Sequence, residues 1–219
     1  MTSLPVTPGP KPRLIPRDAA TLVLVDNSIA SEPRILMGRR RADLAFLANK
    51  VVFPGGRVDP ADKTADAASE LSANTVAALL TAMRGRPSEA RARALGIAAI
   101  RELHEETGIA LGDPACPPLD ALTFFARAIT PPGRPRRFDT RFFMAEATRA
   151  RARQPLGGDG ELTDLAWLTL DDARRLDLPG ITRLIIDDIA VLLPLRSARL
   201  SPGIPFYFYR AGAHRRQIL

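Results

Sequence analysis

The sequence predicts an α/β fold, a mixed β-sheet with helices on its faces. Three observations lead there. Apolar runs of strand length recur along the chain, from TLVLVD at 21–26 to FYFY at 206–209. Two longer stretches, 88–107 and 181–193, carry apolar residues at helical spacing. Proline and glycine mark the joints between these segments.

The 219 residues, 46% apolar and 25% charged, suit one globular domain with a substantial core. Residues 1–18, proline-rich, are expected to be a flexible N-terminal segment, and 19–219 a single domain. No apolar run approaches the ~20 residues that span a bilayer. The N-terminus lacks the continuous apolar stretch of a signal peptide. The expectation is therefore a cytoplasmic protein with no membrane partner. Cys116 is the only cysteine, which excludes an internal disulfide. The net charge of +7 comes from arginine, since the only lysines are Lys11, Lys50 and Lys63. These arginines are scattered and aromatics are only 5% of the chain, which disfavours nucleic acid as a partner.

Taken in order, 21–26 and 34–38 read as strands around the NSIASEP turn. The run LANKVVFPGG (47–56) is a strand ending in a tight loop at Pro54-Gly55-Gly56, where paired glycines let a ligand approach the main chain. Helical character runs from about 67 to 83 and stops at Arg84-Gly85-Arg86-Pro87. Ser88 is the N-cap of a second helix that ends at Gly108. Two aromatic-rich runs, 121–130 and 137–147, are expected to pair as antiparallel strands. A further strand is expected at 162–170, then a short helix from Asp171 to Leu176. A helix follows over 181–193, and a late strand with a basic tail closes the chain.

The second helix contains IRELHEETGI (100–109). On a helical wheel Ile97, Ile100, Leu103 and Thr107 share one side, and Glu102, Glu105 and Glu106 lie opposite. Three carboxylates at i, i+3 and i+4 repel one another, near the helix end where the macrodipole also disfavours negative charge. A solvated acidic face is one reading, and a seat for a hard divalent cation is the other.

Gly55-Gly56, the following helix and Arg101-Glu102-Leu103-x-Glu105-Glu106-x-Gly108-Ile109 resemble the Nudix hydrolase box, G-x5-E-x7-R-E-U-x-E-E-x-G-U, where U is apolar. The last nine residues match at every specified position. The front half departs from the pattern. Gly56 and Arg101 stand 45 positions apart, as though a helical insertion, about 63–92, split the box. Counting back from Arg101 gives Arg93 where the family has a glutamate. Counting forward from Gly56 gives Asp62. Asp62 is the favoured occupant, with Glu70, Glu89 or a vacant place as alternatives. The split box, with ITPPGRPRRFDTRFFMAEA (129–147), is most similar to the coenzyme A diphosphatase-like branch.

The resemblance implies a Nudix α/β/α sandwich and Mg²⁺- or Mn²⁺-dependent hydrolysis of a small-molecule substrate built on a nucleoside diphosphate, with coenzyme A or an acyl-coenzyme A as candidates. It implies metal ligation by Glu102, Glu105, Glu106 and the backbone near Gly55, with Arg101 orienting the loop and glutamates. Glu161 stands where family members carry a base or an extra metal ligand. Arg39, Arg137 and Phe138, with Gly55 and Gly56, are the candidate substrate contacts, because guanidinium groups match phosphate geometry. Family members often dimerise, so a homodimer is admitted. The rival readings are a Nudix-fold nucleotide-binding or regulatory protein without catalysis, and an RNA-end-processing enzyme.

Overall fold

The computed structural model describes residues 14–29, 31–81, 83–152, 156–197 and 203–219. Its strands and α-helices follow as β1 (Arg17–Asp26), β2 (Arg34–Arg40), β3 (Val51–Val52), β4 (Gly55–Arg57), α1 (Ala73–Thr81), α2 (Glu89–Thr107), β5 (Ile109–Leu111), β6 (Thr123–Ile129), β7 (Phe138–Glu146), β8 (Ala150–Ala152), β9 (Leu162–Thr169), α3 (Leu170–Arg174), α4 (Gly180–Ser197), β10 (Pro205–Arg210) and β11 (Ala213–Ile218). The main sheet has the order β11-β10-β6-β7-β1-β2-β3, with β4 also paired to β1 and β9 to β2. It is mixed, as the sequence predicts: β1–β7 and β6–β10 run parallel, and the other pairs antiparallel. β5 and β8 form a separate two-stranded ribbon.

β1 lies inside the sheet and is buried on both faces, which is why it reads as an almost unbroken apolar run. Alternation sends Leu22 and Leu24 into a core under α1 and α2, and Val23 and Val25 into a second core under α4. Two helical layers therefore enclose the sheet, as in the predicted sandwich. Among the described residues no helix is long and apolar enough to cross a membrane.

Three elements differ from the sequence reading. The helix expected from about 67 begins only at Ala73. The chain before it is held extended against the 117–119 segment, where Ala68 N–H donates to the Pro117 carbonyl and Leu119 N–H to the Ser69 carbonyl. Ser72 Oγ then accepts from Thr75 N–H and caps the helix. The Gly-Gly loop is itself a short strand, β4, with Gly55 opposite Thr21, where a Cβ would collide with the Ala20 carbonyl. The basic tail is β11, folded back on β10 with Arg215 opposite Phe208.

At the end of the sheet where β1 and β7 begin lies a buried ionic cluster. Arg91, from the first turn of α2, donates to both oxygens of Asp18 at 2.5 and 2.7 Å. Arg141, 1% exposed, donates to Asp18 at 3.0 Å and to the Asp139 carbonyl at 2.8 Å. Arg127 holds Asp139 through two bonds of 2.8 and 2.7 Å and lies 4.5 Å from the Phe206 ring centroid. Residues 1–13 of the expected N-terminal segment lie outside the described residues; Arg17 and Asp18 already belong to β1.

Candidate active site

α2 carries the acidic motif across the sheet onto β4. Ser88 Oγ accepts from Arg91 N–H at its start, and Gly108, at φ 72°, ends it in the left-handed conformation. Its C-terminal carbonyls do not face water. Gly157 N–H donates to the Thr107 carbonyl at 3.0 Å and Asp159 N–H to the Glu105 carbonyl at 2.7 Å. A Cβ at Gly158 would overlap the Glu105 carbonyl, so the 156–161 loop sits directly on the helix end. That packing brings Glu161 to the acidic face.

The three glutamates are not equivalent. Glu105 is exposed, Glu102 is half-buried and Glu106 is only 1% exposed. The helical wheel places Glu106 away from the core, yet β4 covers it: Gly55 N–H donates to Glu106 Oε2 at 2.8 Å. Gly56 lies against Glu102, and a Cβ there would occupy the space of the carboxylate. The second glycine is thus required by the close approach of the helix.

Arg101 ties this surface together. Its Nε and Nη2 donate to the two Asp62 oxygens at 2.8 and 3.1 Å, and its Nη1 to Glu102 at 2.9 Å and Glu105 at 2.8 Å. Nη2 also reaches the Arg57 carbonyl at 3.1 Å, which fixes the end of β4. Asp62 is itself buried and accepts from Asp59 N–H. It is therefore Asp62 that faces Arg101, whereas Glu70 pairs with Arg93. Burial by itself would lower the Arg101 pKa, but the Asp62 hydrogen bond and the charges of Glu102 and Asp62 raise it.

Electrostatically the face is strained towards neutrality. Burial pushes Glu102 up to about 7, opposed by Arg101 and reinforced by the charges of Glu105 and Glu161. Burial pushes Glu106 up to about 8, opposed by the Gly55 N–H and reinforced by Glu102 and Glu161.

Across from Glu106, Arg40 donates through Nη2 to Glu161 at 2.5 Å and through Nε to the Phe46 carbonyl at 3.0 Å. Its Nη1 lies 3.9 Å from Glu106 Oε1. Sequence reasoning counts Arg39, Arg40 and Arg41 among the arginines that could bind phosphate and keeps only Arg39 as a candidate contact. The available signal is alternation along β2: Arg40 shares the parity of Leu36, which enters the core beneath α2.

Arg101, Glu102, Glu105, Glu106, Gly55, Gly56 and Glu161 therefore come together. The contacts of the other candidates lie elsewhere. Arg39 binds Asp164 at 3.2 Å and the Asn49 carbonyl at 2.9 Å. Arg137 donates to the Thr130 and Leu14 carbonyls at 2.9 and 2.7 Å. Phe138 packs edge-on against Phe46, with centroids 5.4 Å apart.

The donor set suits a hard divalent cation in its chemistry: crowded carboxylate oxygens whose negative charge is incompletely balanced by protein. Among the described residues no three acidic, cysteine or histidine side chains are already gathered as a closed metal cluster. Glu105 is turned to Arg101 and Glu161 to Arg40, so cation binding requires these carboxylates to exchange partners.

Residues 89–189 match the family model described as NUDIX domain, a span that starts at α2 and takes in the whole Arg101–Ile109 motif. The fold is that of solved Nudix structures. A NUDIX hydrolase from Alicyclobacillus acidocaldarius is 23% identical, with TM-score 0.64 over 86% of this chain and 98% of that one. The NUDIX domain of Shewanella oneidensis NrtR, solved with ADP ribose, is 14% identical, with TM-score 0.52 over 84% and 92%. A MutT NUDIX hydrolase from Burkholderia pseudomallei is 21% identical, with TM-score 0.50 over 80% and 99%. No curated protein matches the chain significantly.

Proposed function

We propose that the protein is a metal-dependent diphosphatase that cleaves a nucleoside diphosphate linked to a second moiety, with coenzyme A or an acyl-coenzyme A as the favoured substrate. The observation that carries this reading is the convergence of buried Glu106 and half-buried Glu102 on the Gly55-Gly56 backbone, with Glu161 within electrostatic reach of both. A solvated acidic face would not bury its carboxylates or leave them so poorly compensated.

Glu102, Glu105, Glu106 and the main chain at Gly55 would hold Mg²⁺ or Mn²⁺. The cation supplies neutralisation of the diphosphate charge and a bound water of lowered pKa. Glu161 takes the proton of the attacking water, from a loop fixed on the end of α2. Arg101, held by Asp62, orients Glu102 and Glu105. Gly55 and Gly56 would meet the diphosphate through the main chain, since the space a side chain would take at each is filled by the Ala20 carbonyl and the Glu102 carboxylate. Arg39, Arg137 and Phe138 contact the more distant parts of the substrate. The preference for coenzyme A is drawn from the length of chain between Gly56 and Arg101 and from the 129–147 segment.

Incubation with Mg²⁺ and a panel of coenzyme A, acetyl-coenzyme A, NADH, ADP-ribose and nucleoside triphosphates, read by product mass, tests the reading. A phosphopantetheine product together with adenosine 3′,5′-bisphosphate is expected. Turnover confined to the other compounds would defeat the coenzyme A assignment, and no turnover of any would defeat the diphosphatase.

A further inference from the structure

Arg40 is the one cationic side chain that reaches both Glu161 and the most deeply buried glutamate of the motif among the described residues. Its own side chain is 13% exposed. Its backbone is fixed as well: Arg40 N–H donates to the Lys50 carbonyl, and Asn49 N–H donates to the Arg40 carbonyl. The guanidinium is thus delivered to the acidic face by a strand, not by a wandering surface side chain. Its third arm holds the Phe46 carbonyl, and with it the 41–49 loop, in which Leu47 and Asn49 adopt φ of 56° and 61°. Neither is glycine, so the loop is held in a backbone region that side chains disfavour.

We propose that Arg40 is a built-in counter-cation of the active site, competing with the divalent metal for Glu106 and Glu161, so that metal loading releases Arg40 and with it the 41–49 loop. This rests on the metal-dependent reading given above. The physics is that of two cations sharing one pair of carboxylates. Two cations drawn to the same carboxylates repel one another at contact distance. A divalent ion at Glu106 therefore cannot leave a guanidinium 3.9 Å from the same carboxylate undisturbed. Arg40 keeps the acidic pocket from being an uncompensated charge cluster, and lowers its affinity for any cation that does not bring a matching anion. A diphosphate brought with the metal restores the balance, so Arg40 favours the metal–substrate pair over the free metal.

The test is Mn²⁺ titration of the full chain by calorimetry and by electron paramagnetic resonance of free Mn²⁺. Wild type, Arg40→Met, Arg40→Gln and Arg39→Met are compared after circular dichroism confirms the fold. Arg40→Met is expected to bind Mn²⁺ about tenfold more tightly than wild type. Arg40→Gln, which keeps a donor for the Phe46 carbonyl, should show the same direction and serves if the methionine variant misfolds. Arg39→Met removes an equal charge and another tie to the same loop, and should stay within about twofold. Added Mn²⁺ should also speed amide exchange in 41–49 of the wild type and leave it unchanged in Arg40→Met. A purely structural tie would lower thermal stability without moving Mn²⁺ affinity. Equal or weaker binding by both Arg40 variants, with wild type binding normally, overturns the proposal alone. Failure of every variant to bind at millimolar Mn²⁺ overturns the metal-dependent reading and this proposal together.

Discussion

Glu106 has 1% of its surface exposed and accepts a hydrogen bond from a single backbone N–H, with the nearest guanidinium nitrogen 3.9 Å away. A carboxylate so placed is costly when ionised. Its folded pKa of about 8, and that of Glu102 of about 7, lie above the ordinary value of 4.5. The sign follows: folding favours the protonated forms, so stability contributed below pH 4.5 is lost as the pH rises through 7 and 8. The melting temperature of chelator-treated protein should rise as the buffer is lowered from pH 8.5 to 5.5. Millimolar Mn²⁺ should flatten that slope, since the cation compensates the ionised pair. Glu106→Gln removes the charge while keeping the Gly55 N–H acceptor. It should reduce turnover by at least ~100-fold, as for the loss of a key electrostatic group, while the melting temperature of the metal-free protein stays level or rises. The nine-residue motif makes the acidic face legible from sequence alone. The burial of Glu106 is not, because a helical wheel knows only its own helix and β4 is what covers the carboxylate.

Among elements, α2 is the best foretold and α1 the worst. Ser88 and Gly108 are local signals whose physics lies in the adjacent turn, so both ends of α2 are readable. The start of α1 is decided by backbone bonds from 68 and 69 to residues 117 and 119, which no local pattern encodes. β4 is hidden for a similar reason: two glycines look like a loop until β1 supplies an edge. Gly56 and Gly108 separate function from stability. Gly56→Ala places a methyl where Glu102 rests and should weaken Mn²⁺ binding at least tenfold by titration. Gly108→Ala forces a side chain into the left-handed region and against the Gly157 carbonyl. It should cost about 1–2 kcal/mol in urea denaturation, from the left-handed conformation alone. Asp62→Asn tests the tie between β4 and α2 that Arg101 makes. It should leave the fold intact and lower kcat more than it raises KM, since Arg101, which orients Glu102 and Glu105, loses the charge that holds it.

At the scale of the whole molecule, the cluster of Asp18, Asp139, Arg91, Arg127 and Arg141 joins α2 to three neighbouring strands. Breaking a buried ion pair leaves its partner uncompensated, so Asp139→Ala should destabilise the protein by roughly 3–5 kcal/mol in chemical denaturation. Burial raises the Asp18 pKa, but the hydrogen bond from Arg91 and the charges of Arg141 and Arg91 outweigh it and hold the carboxyl below its ordinary 3.8. Its stabilisation is therefore full above pH 3.8 and fades as the pH falls through the folded value. Acid unfolding of Asp18→Asn should show a shallower limb than wild type. The sequence predicts β1 and β7 of this cluster but not their parallel partnership, because alternation reports which residues are buried and not which strand lies beside them.

That partnership also dictates an order of assembly. β1 is made before its parallel neighbour β7, which begins at residue 138, and register runs from Arg17 with Phe138 to Val25 with Glu146. The edge of β1 that meets β7 must therefore wait for residues 138–146, whereas β2 and β4 can pair with the other edge as soon as residue 57 is made. Nascent chains arrested before residue 138 should remain open to protease along β1, and those released past residue 146 should begin to protect it. For this protein one edge of β1 can close early and the other only late.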